Sequence, residues 1–207
     1  MPLANPKVGA KLLQKKHIQK VLLHFCYKYY MPRTLKNKLR TLIFAQNAQI
    51  MEKFEKIKQE AIAHGLCEQW QGEWGEPNLE QLCRFFHRGQ DFCIKEDFPS
   101  LDTLKEYQGQ IEQYGIYTDR GTAKNQPFVV ALGDADINVE VNNVTDLTVR
   151  HNATVHLYLY GKCLCYVSAW NNCKIVVEHK DSDSRLCMSY WSGEIVGKEY
   201  FDKIHNK

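Results

Sequence analysis

The sequence predicts an α+β fold, in which an N-terminal helical segment is followed by a short β-solenoid-like or antiparallel β-repeat domain. Two patterns predict this fold. Apolar residues recur at helical spacing in the first part of the chain, up to Gly115. From Phe128 onward they alternate with polar residues, at the period of two that a strand with one buried face requires. We therefore divide the chain into residues 1–50, 51–117 and 128–207.

The composition is that of an ordinary globular protein. Of the 207 residues, 44% are hydrophobic and 25% are charged. No apolar run reaches the roughly 20 residues of a membrane-spanning helix, and no small-residue cleavage site follows Val21-Leu22-Leu23. We therefore expect no membrane association, a cytosolic setting and eight cysteines in the reduced state.

Residues 1–50 are predicted to form a basic helical arm. They hold ten lysines and arginines and no acidic residue, whereas the whole chain holds 27 basic and 24 acidic residues. The remainder therefore carries 17 basic and 24 acidic side chains, a net charge of −7. Such an arm suits the phosphates of a nucleic acid, which lysine and arginine neutralise with release of counterions. A solvated basic helix is the alternative interpretation.

Met51 is an alternative start of translation. The sequence changes there from an acid-free segment to the mixed charges of "EKFEKIKQEAIAHG". The mass of the N-terminal peptide of the native protein distinguishes a start at Met51 from one at Met1.

Residues 51–117 predict a small helical domain. Phe54 and Ile57 begin an apolar stripe that ends at Gly65, a residue suited to a helix C-terminus. Asn78 and Ser100 are predicted N-caps of two further helices, because their side chains accept hydrogen bonds from the first turn. Residues 118–127 lack periodicity and contain glycine and proline, so they are the predicted domain boundary.

Residues 128–207 predict the β-repeat domain with a C-terminal cap. Three ten-residue rows, starting at His151, Gly161 and Asn171, each open on turn-forming residues and continue as an alternating strand. The apolar side chains stay on odd positions through all three rows. A hairpin with a two-residue loop would instead move them from odd to even positions.

Two architectures keep the apolar side chains on odd positions from row to row. One is an antiparallel meander with loops of odd length, and the other is a β-solenoid with an even repeat. We favour the solenoid with each row as one rung, which places Val155, Cys165 and Ile175 in one column of similar volumes. The helices would then cap the first rung. The last rung would be covered by the tail through Tyr190, Trp191, Ile195 and Phe201.

Two resemblances bear on origin. The residue pattern of "HNATVHLYLYGK" resembles Asn-Ala-x-Val repeat segments of bacterial β-solenoid proteins. From about Met51, through "GLCEQW", "FPSLDTLKEYQGQIEQYGIYTD" and "VVALGDADINVEV", the chain is similar to uncharacterised proteins of Bacteroides-type phages and prophages. The resemblance covers roughly the last three-quarters of the chain and includes no active-site motif. It therefore implies an origin in a phage or mobile element more than an activity, and with it a location in the cytoplasm of a bacterial host or in a virion.

The outward side chains of the β-repeat are the predicted binding residues. They are His156, Tyr158, Tyr160, Tyr166 and Trp170. Exposed aromatic residues in such numbers are typical of an interface. The alternative is that the helices or the tail cover them.

Other candidate sites give weaker patterns. His64, Cys67, Cys83 and His87 have the spacing of two zinc-ligand pairs, although a capping histidine and a buried thiol explain the same residues. Cys163, Cys165 and Cys173 are interpreted as core residues. Asp134, Asp136, Asp181 and Asp183 lie at predicted turns. We predict no catalytic residue, no metal and no cofactor.

These observations predict a non-enzymatic structural or binding protein of a phage or mobile element. Its β-repeat would present an aromatic face for oligomerisation or ligand binding. The expected partners are further copies of the chain or another protein, with a glycan as a further candidate ligand. The alternatives are a β-solenoid enzyme acting on polysaccharide, with acids at the turns, and a nucleic-acid-associated accessory protein acting through residues 1–50.

Overall fold

The computed structural model describes residues 32–75 and 78–204. Helices occupy the first part: α1 (Arg33–Ala63), α2 (Glu68–Glu73), α3 (Leu79–Arg88), α4 (Gln90–Glu96) and α5 (Leu101–Lys105). No helix in the described ranges is long and apolar enough to cross a membrane. Most of the predicted basic arm lies outside the described residues, so its binding to nucleic acid stays a prediction.

The chain divides into two compact units, Met1–Lys53 and Phe54–Lys207. The division falls close to the predicted boundary at residue 50, although α1 continues through it. In the first unit, Leu42 and Phe44 on α1 are 59% and 77% exposed. The second unit contains both the predicted helical domain and the predicted β-repeat domain.

The predicted helix signals in the second unit are confirmed. Asn78 accepts a hydrogen bond from the backbone N–H of Gln81 at 2.9 Å, and Ser100 accepts one from Thr103 at 3.2 Å. Gly65 follows α1 with a φ of +92°. The apolar stripe of α1 is buried in a helical core with α2 and α3.

Two parallel sheets form a β-solenoid after the helices. The odd-numbered strands are β1 (Ile116–Tyr117), β3 (Phe128–Ala131), β5 (Val144–Val149), β7 (Leu164–Ala169), β9 (Arg185–Trp191) and β11 (Lys203–Ile204). The even-numbered strands are β2 (Gly121–Lys124), β4 (Asp136–Val141), β6 (Thr154–Leu159), β8 (Lys174–Lys180) and β10 (Glu194–Val196). Within the described residues, sheet A has the strand order β1-β3-β5-β7-β9-β11 and sheet B the order β10-β8-β6-β4-β2. Successive strands alternate between the sheets, so the solenoid prediction is confirmed and the antiparallel meander is wrong.

One coil of the solenoid contains two of the predicted rows. Thr154 pairs with Lys174, and Val155 pairs with Ile175, twenty residues on. The intervening row belongs to sheet A, where Cys165 pairs with Thr145. The predicted column of Val155, Cys165 and Ile175 was therefore wrong. The odd numbering of the apolar positions could not reveal the length of the coil, because repeats of ten and of twenty residues are both even.

The solenoid begins earlier than predicted. β1 and β2 form a short first coil in residues 116–124, of which 118–124 were assigned to the domain boundary. Their alternation is hard to detect because the strands have only two and four residues. The first coil nevertheless continues the registers of β3 and β4.

Inward side chains stack in columns from coil to coil. One column runs from Tyr117 through Ala131, Val149 and Ala169 to Trp191, so small residues fill its middle and an aromatic ring stands at each end. Trp191, Ile195 and Phe201 pack against the solenoid core at its C-terminal end, as predicted. Tyr190 does not, because a bulge in β9 turns it outward to stack on Trp170.

The helices pack on the outer face of sheet A instead of covering the end of the solenoid. Ile116, Val130 and Leu132 alternate with core residues along β1 and β3 and are buried against α3–α5. Thr148 donates to Gln90 Oε1 at 2.7 Å and Arg150 donates to Asp97 Oδ1 at 2.6 Å. The predicted helical cap over the first rung is therefore wrong.

Hydrogen bonds between polar groups of successive coils stabilise the turns that connect the two sheets. His151 and Asn171 have φ values of +59° and +63°, and the N–H of His151 donates to the side chain of Asn171 at 3.3 Å. On the opposite edge, the N–H of Gly161 donates to Asp181 Oδ2 at 2.6 Å. This hydrogen bond, followed by the contact with His179, lowers the pKa of Asp181 below its usual range.

Deletion of residues 154–173, one whole coil, is expected to leave a folded protein, because β8 then pairs with β4 and β9 with β5 in the existing registers. Deletion of residues 164–173 is expected to prevent folding, because every later strand moves to the wrong sheet. Far-UV circular dichroism and thermal melting compare the two variants. Equal melting temperatures of the two deletion variants would contradict a coil that consists of two rows.

Asp181→Ala is expected to lower the melting temperature at pH 7. Because the folded-state pKa of Asp181 is depressed, its carboxylate stabilises the fold above the unfolded-state pKa, and this contribution is lost as the pH falls below about 4. The difference from the unmodified protein should therefore shrink in acid. Calorimetry of both proteins between pH 7 and about pH 4 tests this expectation. Asp183→Ala is the matched control, because Asp183 is an exposed carboxylate of the same turn.

Candidate functional site

The predicted binding residues lie on two opposite sides of the solenoid. His156, Tyr158 and Tyr160 lie on the outer face of sheet B, on β6 and the turn after it. Tyr166 and Trp170 lie on the outer face of sheet A, on β7 and the turn after it. Because consecutive rows belong to opposite sheets, one continuous face of all five residues does not form. The core separates the two groups.

We call the outer face of sheet B around β6 and β8 the aromatic face. It consists of Asp136, His156, Tyr158, Tyr160, Glu178, His179 and Asp181. Helices α3–α5 do not cover it, since they pack on sheet A.

Two tyrosines and a histidine form the centre of the aromatic face. The rings of Tyr158 and Tyr160 are nearly parallel, at 11°, with centroids 6.5 Å apart. Tyr160 also contacts His179, with centroids 5.1 Å apart. Tyr158 is half-buried between neighbouring strands, whereas Tyr160 is 42% exposed. The pair therefore offers aromatic surface held in one orientation.

A bulge in β8 places His179 and Glu178 on this face. The register pairs Leu157 with Val177 but Tyr158 with His179, so Glu178 is the extra residue. Sequence reasoning missed both residues. The signal is that alternation fails after Val177, where two consecutive side chains are exposed.

His156 lies between two carboxylates. Its Nδ1 is 2.7 Å from Glu178 Oε1, and its Nε2 is 3.6 Å from Asp136 Oδ1. Asp136 lies on β4 and Glu178 on β8, so the imidazole spans three strands. Hydrogen-bonding groups therefore flank the tyrosines on the same surface.

The surroundings of Tyr158 disfavour its phenolate. Partial burial, followed by the charges of Glu178, Tyr160 and Glu140, raises the pKa of Tyr158 above its usual value. Tyr158 therefore keeps its hydroxyl proton at neutral pH and can donate a hydrogen bond.

Trp170 and Tyr166 differ in how much of their surface is available. The Trp170 ring stacks on Tyr190 with centroids 3.7 Å apart, so much of its surface is already in contact. Tyr166 is 43% exposed. Val144 and Phe128 of the same sheet are also exposed, at 54% and 48%.

The four candidate zinc ligands do not form a common site. His64 Nδ1 is 3.6 Å from Glu96, and His87 Nε2 is 2.5 Å from the carbonyl oxygen of Tyr114. Cys67 is exposed, whereas Cys83 is buried in the helical core. No three potential ligands among the described residues are grouped to hold a metal ion.

The cysteines of the repeat are core residues, as predicted. Cys163, Cys165 and Cys173 are buried in the solenoid. Burial raises the pKa of Cys173 to about 11 and that of Cys165 further. Both remain thiols at neutral pH and act as small apolar side chains.

The acidic residues at the turns do not form a pair. Asp134 accepts a hydrogen bond from Asn152 at 3.3 Å, and Asp181 binds the turn at Gly161. Of the four, Asp136 and Asp181 belong to the aromatic face, where Asp136 lies 3.6 Å from His156 Nε2 and Asp181 lies 2.9 Å from His179 Nε2.

Comparison with known protein families, curated proteins and solved structures finds no match for this chain.

Proposed function

We propose that the protein is a non-enzymatic binding protein, of a phage or mobile element, that binds a glycan on the aromatic face of its β-solenoid. The parallel pair of Tyr158 and Tyr160, on the sheet opposite the one that packs against α3–α5, carries this proposal. The origin in a phage or mobile element rests on the resemblance of the sequence and stays a prediction.

The chemistry of the aromatic face suits a sugar. The C–H groups on one side of a pyranose ring make an apolar surface that stacks on an aromatic ring, while its hydroxyls require hydrogen-bonding groups at the edge. Tyr158 and Tyr160 provide the rings. Asp136, Glu178 and His179 provide acceptors and donors on adjacent strands.

The size of the face favours a small or extended ligand over a stable protein interface. Strands lie about 4.8 Å apart and rise about 3.3 Å per residue. The five strands of sheet B have 4, 6, 6, 7 and 3 residues, so they cover roughly 400 Å2. A stable protein–protein interface buries about 800 Å2 on each partner. Self-association through this face alone would therefore be weak.

The polar groups of the face also oppose a dry protein interface. Lys174 and Glu194 pair at 2.8 Å, and Lys124 and Glu140 pair at 3.0 Å, all on the outer surface of sheet B. An interface would have to bury these charges, and desolvation of exposed ion pairs is costly. A hydrated oligosaccharide leaves them in water.

Tyr160→Ala and Tyr158→Ala are each expected to weaken glycan binding about tenfold, because each removes one stacked ring. The unmodified protein is first applied to a glycan array, and the dissociation constant of the bound glycan is then measured by calorimetry. Tyr166→Ala is the matched control, since Tyr166 is 43% exposed against 42% for Tyr160 but lies on sheet A. It should bind like the unmodified protein.

Light scattering after size-exclusion chromatography completes the test. If no glycan binds and Tyr160→Ala converts an oligomer into a monomer, the face is an interface between copies and the glycan proposal is wrong. An equal loss of glycan affinity in Tyr166→Ala would also contradict the proposal.

Cleavage of polysaccharide on the same face is the second candidate function. Asp136 and Glu178 both contact His156, so two carboxyl groups lie on opposite sides of one imidazole. Glycosidases place two carboxyl groups roughly 5 to 10 Å apart across the bond that breaks. In this structure, however, both carboxylates are engaged by the histidine.

We expect the bound glycan to stay intact. Incubation of the protein with each glycan from the array, followed by an assay of new reducing ends and of unsaturated products, tests this. Product formation that disappears in Glu178→Gln and persists in Tyr166→Ala would establish the enzyme instead.

A further inference from the structure

The aromatic face carries an excess of negative charge. Three of its seven side chains are carboxylates, and none of the seven is a lysine or an arginine. The carboxylates are those of Asp136, Glu178 and Asp181. With its two histidines neutral, the face therefore has three negative charges and no positive one.

Cations on the neighbouring strands do not balance this charge. Lys124 pairs with Glu140 at 3.0 Å and Lys174 pairs with Glu194 at 2.8 Å, so each of these lysines is compensated by its own glutamate. Lys162, in the turn that follows β6, is exposed. Within the described ranges, the three carboxylates of the face form ion pairs with histidines only.

Two of the carboxylates can accept hydrogen bonds from a ligand. Asp136 and Glu178 face opposite nitrogens of His156, and their side chains are 53% and 38% exposed. A neutral imidazole has a single N–H and donates to only one of the two. Each contact also uses one oxygen, so Asp136 Oδ2 and Glu178 Oε2 have no partner in the part of the chain that the structure describes.

The negative charge extends to the tyrosine rings. Partial burial raises the pKa of the Tyr158 hydroxyl, and the charges of Glu178 and Glu140 raise it further, so the potential at this ring is negative. An anionic group of a ligand would meet the same repulsion, whereas a cationic group would be attracted. The face of a tyrosine ring also attracts a cation that lies within about 6 Å of its centre.

We propose that the ligand of the aromatic face is an oligosaccharide of cationic amino sugars, whose pyranose rings stack on Tyr158 and Tyr160 and whose ammonium groups bind Asp136 and Glu178. This inference rests on the proposed function and gives it a ligand class. An ammonium group has three donors and no acceptor, which matches carboxylate oxygens. Sugars that carry carboxylate or sulfate groups are excluded by the charge of the face.

Tetramers of glucosamine and of N-acetylglucosamine are the matched probes, because they share rings and linkages and only the first carries ammonium groups. In calorimetric titrations of the full chain at pH 6.5 and low salt, the glucosamine tetramer is expected to bind roughly tenfold more tightly, the combined effect of a few exposed ion pairs. High salt should reduce this preference, because it screens exposed charges.

Glu178→Gln preserves the size of the side chain and removes one charge. It should weaken binding of the glucosamine tetramer about threefold, the effect of one exposed ion pair, and leave the N-acetylated tetramer unchanged. Glu68→Gln is the matched control, since Glu68 is an exposed glutamate on α2. It should leave both affinities unchanged. If thermal melting shows that Glu178→Gln is unfolded, Asp136→Asn tests the same charge effect from β4.

Two further measurements separate the contributions of rings and charge. Tyr160→Ala should weaken both tetramers by the same factor, because both stack on its ring. Tetralysine carries ammonium groups without a pyranose ring, and it should bind more weakly than the glucosamine tetramer.

The outcomes distinguish this proposal from glycan binding itself. Equal affinities for the two tetramers, or tighter binding of the N-acetylated one, would overturn the amino-sugar proposal and leave glycan binding in place. The same holds if Glu68→Gln reduces the preference as much as Glu178→Gln, or if tetralysine binds as tightly as the glucosamine tetramer. Absence of binding to every glycan of the array would contradict both proposals.

Discussion

In-register parallel pairing of the coils is the constraint on which this structure depends. Each inward side chain lies directly beside its counterpart one coil away, so its volume must fit the volume next to it. The column from Tyr117 to Trp191 shows the result, with alanine and valine in the interior and a large ring at either end. Gly193 shows the limit of the same packing, since a Cβ there would lie 2.3 Å from the carbonyl oxygen of Cys173.

The same constraint divides the protein surface between two roles. Parallel stacking repeats the outward side chains of each face at the strand spacing. Sheet A uses apolar outward residues in its first strands, Ile116, Val130 and Leu132, and these bind the helices. Sheet B has polar outward residues on β2 and β4 and aromatic ones on β6. One face therefore joins α3–α5 to the solenoid, and the other presents polar and aromatic side chains.

The aromatic face depends on a departure from strict coil pairing. The bulge at Glu178 brings His156, Glu178 and His179 together beside Tyr158. Affinity there would come from stacking and from hydrogen bonds made partly in water.

The sequence by itself determined the fold class, the turns at His151, Gly161 and Asn171, and the burial of the odd positions, because alternation and turn chemistry are local properties of the chain. Only the tertiary structure decided the length of the coil, since parity is the same for ten and for twenty residues. That choice separated Tyr160 from Tyr166 and joined Tyr160 to His179.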